Sequence, residues 1–73
     1  SWNYGIEIED LFGQPISFVL PELKRRITEA LLQDTRITGV DNFSFKTTKG
    51  KVHATFTVIT IYGDVEAEKV VNV

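Results

Sequence analysis

Apolar residues change their spacing once along this chain, and the change falls within "EALLQDTRITGVDNFSFK". Upstream, Leu20, Leu23, Ile27, Ala30 and Leu31 recur at intervals of three and four, which sets them on one face of an α-helix. Glu22, Arg25 and Glu29 lie opposite. Glu22–Arg26 and Arg25–Glu29 have the i,i+4 spacing that adds about 0.2–0.5 kcal/mol per pair. The pattern predicts a helix over residues 18–33, with Ser17 as its cap and Pro21 in or next to the first turn. The basic run "ELKRR" reads as the solvated face of this helix.

Downstream the period becomes two. Phe43 and Phe45 alternate in "NFSFK", and "KVHATFTVITIY" puts Val52, Ala54, Phe56, Val58 and Tyr62 on one side. Thr48-Lys49-Gly50 and Gly63-Asp64 are the expected reverse turns, and "VEAEKVVNV" is a third strand. One amphipathic helix on a three-stranded antiparallel meander is an α+β two-layer fold. Its expected core is Leu20, Leu23, Ile27, Leu31, Phe43, Phe45, Phe56 and Val58. Toward the N-terminus, "IEIEDLF" before Gly13 predicts a short helical turn over residues 7–12.

Ile59 and Ile61 interrupt the polar face of the central strand. The aromatics Trp2, Tyr4 and Phe12 fold over them, or a partner does.

The whole chain reads as a single domain. Its 73 residues carry 42% hydrophobic and 11% aromatic residues, enough to form a core. A net charge of −2 gives no electrostatic case for nucleic acid or an anionic membrane. No apolar run approaches the roughly 20 residues of a membrane span. The absence of cysteine excludes thiol catalysis and disulfides, and a single histidine is too few for a zinc site, which needs several ligands. His53 sits mid-strand with no nucleophile or orienting partner evident around it, so it reads as an exposed strand residue. Glu7, Glu9 and Asp10 are too close together on a short polar segment to flank a glycosidase cleft. No catalytic residue and no cofactor is expected. The absence of methionine and the abrupt start at Ser1-Trp2 point to part of a longer chain.

Asp34 and Arg36 stand at the seam between the two periods. The last helical carbonyls need donors there, and a fork-shaped cation suits them. Arg36 is therefore expected to be partly buried, with Asp34 close to a donor. Alternatively, Arg36 faces a neighbouring protein.

"SWNYG", "LFG", "RRITEALLQDTRITGVDNFSF" and "FTVITIYGDVE" together resemble the C-terminal part of XkdS-like (PBSX-type) proteins of contractile phage tails. These are similar to the T-even baseplate wedge protein once called tail lysozyme and now regarded as the sheath initiator. That family carries Glu-Pro-Arg after its helix; here Asp34 replaces Glu, Thr35 departs from Pro, and Arg36 matches. The resemblance implies a structural baseplate protein that starts or anchors sheath assembly. Its partners would be other wedge proteins and tail sheath subunits, with no nucleic acid or membrane. It implies a place in the virion tail baseplate, assembled in the host cytoplasm, with strands exchanged between neighbouring subunits. Asp34, Arg36, Ile59 and Ile61 are the candidate partner-binding residues. A generic protein-binding module and a cell-wall lysozyme are the alternatives.

Overall fold

The computed structural model describes residues 9–72. A 3-10 turn at Glu9–Leu11 precedes one helix, α1 (Ile16–Leu31), and three strands, β1 (Ile37–Thr48), β2 (Lys51–Thr60) and β3 (Gly63–Asn72). The strands pair antiparallel in the order β1-β2-β3. The helix covers one face of the sheet and lies nearest β1. This is the two-layer α+β arrangement that the change of period implies.

The helix starts and ends two residues ahead of the expected limits. Ser17 falls inside the first turn instead of capping it. Pro15 holds the cap position without a side-chain bond, and its carbonyl accepts from the Phe18 and Val19 amides at 2.9 and 3.0 Å. Pro21 consequently lies beyond the first turn and withholds an amide from the Ser17 carbonyl. Both residues are exposed, so water can serve that carbonyl.

Val19, Leu23, Ile27 and Leu31 carry the buried stripe of α1 and meet Val52, Ala54, Phe56 and Val58 of β2. Leu20, Phe43 and Phe45, expected inside, pack half-buried at the margin. Phe43 stacks on Phe56 with ring centroids 5.1 Å apart. The Lys24 ammonium, 5.8 Å from the Phe43 centroid, covers the outer side of that ring.

β1 reaches this core by an irregular route. Between Ile37 and Gly39, and again between Asp41 and Ser44, it holds one residue more than β2 does. Each extra residue is a bulge that switches the side on which later residues fall. Asn42 absorbs the second with φ of 57°, a value that asparagine tolerates better than most residues. Ile37, Val40, Phe43 and Phe45 consequently all face the helix layer.

Both hairpins close with two residues. Lys49 and Gly50, at φ of 20° and 74°, form the first, as expected. The second lies at Ile61-Tyr62 and not at Gly63-Asp64: Thr60 pairs with Gly63 across it. The Thr60 hydroxyl organises the turn by donating to the Gly63 carbonyl at 2.7 Å and accepting from the Tyr62 amide at 2.9 Å. Gly63 at φ of 123° then opens β3. Tyr62 therefore leaves the core face, where strand alternation had placed it, and is 81% exposed.

The N-terminal turn is tied to the helix by one guanidinium. Arg26 donates two bonds of 2.7 Å to the Asp10 carboxylate and a third, of 3.1 Å, to Glu22. Hydrogen bonding from Arg26 holds the Asp10 carboxyl below the usual carboxylate range. The clamp sets Leu11 into the core, where it is fully buried, while Phe12 stays half exposed.

Leu11→Ala is expected to lower unfolding stability by about 2–5 kcal/mol, whereas Phe12→Ala changes it little. Urea titrations of both variants, followed by far-UV circular dichroism, check the contrast. Equal losses would mean that the turn does not insert Leu11 into the core.

Candidate functional site

The chain leaves α1 through consecutive turns. The amides of Leu32, Gln33 and Asp34 bond the carbonyls of Thr28, Ala30 and Leu31 at 3.0, 3.4 and 3.1 Å, and Ile37 bonds Asp34 at 2.9 Å. The backbone thus supplies donors that the sequence reading had assigned to an arginine. Arg36 accordingly sits outside, with its side chain 64% exposed, and the expectation of a partly buried guanidinium is corrected.

Asp34 is the more sheltered partner, at 24%. Its carboxylate accepts from the Arg36 amide at 2.9 Å, from Nε at 3.0 Å and from Nη2 at 2.7 Å. Arg36 side-chain and backbone bonding together lower the Asp34 pKa from 3.8 to about 2. The carbonyl of Arg36 accepts from the Ile61 amide at 2.9 Å, which fixes the seam against the β2–β3 turn.

Between seam and turn lies an open cleft of about 360 Å³. Leu31, Ile37, Val58 and Val65 supply its apolar lining, and Asp34, Arg36, Thr60 and Tyr62 its polar-tipped residues. Three of the four candidate residues meet at this end: Asp34 and Arg36 line the cleft, and Ile61 stands beside them, 62% exposed. Ile61 is a turn residue and does not lie on the strand face, a consequence of the earlier closure by Thr60.

Ile59 belongs elsewhere. It pairs with Gly39 on the face away from the helix, and its Cδ1 lies 3.6 Å from where a Cβ on residue 39 would stand. It is half-buried there. Trp2 and Tyr4, expected over it, lie outside the described residues.

The cleft offers an apolar floor beside a mutually neutralised ion pair. That chemistry suits an apolar side chain of another protein. Among the described residues no three of His, Asp and Glu gather to hold a metal ion. No described helix is long and apolar enough to cross a membrane. His53 lies on the face away from the helix, as expected, and meets the Glu68 carboxylate.

A carboxyl whose folded pKa is depressed contributes stability above its ordinary pKa and loses it as pH falls through the folded value. For Asp34 that window runs from 3.8 down to about 2. The expected NMR titration midpoint of the Asp34 carboxyl is near pH 2. Arg36→Ala should move it only part of the way to the ordinary value, since the amide of residue 36 still donates. A wild-type midpoint near 3.8 would mean that the fork does not form in solution.

The family model of the contractile injection system sheath initiator matches residues 1–63. No curated protein and no solved structure matches the chain. Covering most of the 73 residues, the family match places this chain in the contractile injection system sheath initiator family.

Proposed function

We propose that this sheath initiator family member is a structural part of the baseplate of a contractile phage, or phage-like, tail, from whose sheet the first sheath subunits assemble. The observation behind this reading is the pairing of the family match with a small sheet whose outer strands carry no further strand among the described residues. Such edges present unpaired backbone donors and acceptors, ordinarily a hazard and in an assembly nucleus a template. The seam cleft, with Asp34, Arg36, Ile61 and Tyr62 around it, is the contact for a baseplate wedge protein. Within the family, the kinship proposed is with XkdS-like proteins of PBSX-type elements and, more distantly, with the T-even wedge protein. The place of action is the virion tail baseplate, after assembly in the host cytoplasm.

The role proposed is non-enzymatic. A glycosidase acid needs a raised pKa, and the fork from Arg26 shifts Asp10 the opposite way. Of the other two acids, Glu9 is exposed in the 3-10 turn and Glu7 lies outside the described residues. Peptidoglycan suspensions incubated with the protein should keep their turbidity. Clearing that disappears in a Glu7→Gln, Glu9→Gln, Asp10→Asn variant would establish a hydrolase instead.

Co-expression with the cognate sheath and wedge proteins tests the assembly role. Arg36→Ala and Tyr62→Ala, both at exposed side chains, should leave the thermal midpoint nearly unchanged and sharply reduce co-sedimentation with the wedge protein. Normal co-assembly by both variants would remove the cleft from the interface. Failure of the wild-type chain to seed sheath polymers would overturn the reading as a whole.

A further inference from the structure

The two edges of the sheet differ. β1 is broken by two register shifts, which twist and interrupt the backbone a new strand would have to follow. All ten residues of β3 pair with β2 in unbroken register, and among the described residues no further strand lies on its far side.

Side chains along β3 divide by face. Asp64, Glu66 and Glu68 pair with Ile59, Thr57 and Thr55 on the face away from the helix. Successive carboxylates on that face stand about 7 Å apart by strand geometry. Glu66 accepts from the Thr57 hydroxyl at 3.1 Å and Glu68 meets His53. Asp41, which also pairs with Thr57, adds a fourth acid nearby on the same face. On the helix side Val65, Ala67 and Lys69 pair with Val58, Phe56 and Ala54. Because α1 lies nearest β1, it leaves Val65 55% exposed.

We infer that β3 selects its partner by charge: it accepts a protein strand in which basic and apolar residues alternate, and it rejects a second copy of itself. A strand added to this edge sets one side chain opposite each of Asp64, Glu66 and Glu68, where a lysine or arginine is favoured and an acid disfavoured. Its alternate side chains meet Val65 and Ala67, which favour apolar contact. Antiparallel pairing of two β3 strands about Glu66 would face Glu66 with Glu66 and Asp64 with Glu68. The acids thus turn a self-adhesive edge into one open only to a basic strand. This rests on the proposed sheath reading only for the protein that supplies the strand.

Two ten-residue peptides, one alternating lysine with valine and one alternating glutamate with valine, probe the edge directly. The expected result is amide shifts along β3 with the lysine peptide, at an affinity about tenfold above that of the glutamate peptide. The preference should weaken as salt is raised. The Asp64→Lys, Glu66→Lys, Glu68→Lys variant should invert it, and an Asp64→Asn, Glu66→Gln, Glu68→Gln variant should self-associate in sedimentation where the wild type does not. Equal binding of both peptides, shifts confined to β1, or no inversion would overturn the inference, whatever the sheath protein does. A kept peptide preference in a chain that fails to seed sheath would uphold it and sink the sheath reading alone.

Discussion

Phe43 lies against Phe56 with ring centroids 5.1 Å apart, and it gets there only because β1 holds an extra residue between Asp41 and Ser44. Much else hangs on that accommodation. Without it, strict alternation would send either Val40 or Phe43 to the wet face, and a domain this small has few apolar side chains to spare. With both bulges, Ile37, Val40, Phe43 and Phe45 join the helix side. Thr57, opposite Asp41 at the bulge, is buried on the other face and satisfied by the Asn42 amide and the Glu66 carboxylate at 3.3 and 3.1 Å.

The elements readable in advance were those whose period persists. The spacing of Leu23, Ile27 and Leu31 identified the buried face of the helix, and that of Val52, Ala54, Phe56 and Val58 the inner face of the central strand. The features that escaped depend on single tertiary contacts. Apolar residues at 37, 40 and 43 recur every third position, which fits neither template until bulges are allowed. That three-residue step was the available signal. Leu11 enters the core because Arg26 grips Asp10, sixteen residues away in sequence, and nothing in "IEIEDLF" announces such a tie. The second turn moved to Ile61-Tyr62 because a threonine hydroxyl can substitute for a backbone group in a tight turn. Sequence patterns had favoured the glycine.

The same distinction applies to the candidate site. Asp34 and Arg36 were recognisable as a seam pair, and they bond each other. At the helix end, backbone amides reach the carbonyls of Thr28, Ala30 and Leu31, while the Arg36 side chain stays largely exposed. Arg36 is thus a surface residue whose orientation is held by a carboxylate of lowered pKa. The apolar cleft beside it draws residues from α1, β1, β2, β3 and the turns between them, so no single stretch of sequence displays it.

The two hairpins join neighbouring strands through loops of two residues. Every strand pairing therefore links segments adjacent along the chain, and the helix forms from contacts within one stretch. Such a meander has a low contact order for a sheet-containing fold, and chains of that kind search little conformational space before native contacts reinforce one another. Among the described residues, closure between distant segments comes from docking the helix layer, with Leu11, onto the sheet. A chain that folds through neighbouring contacts shortens the interval in which its unpaired strands could be captured by the wrong neighbour.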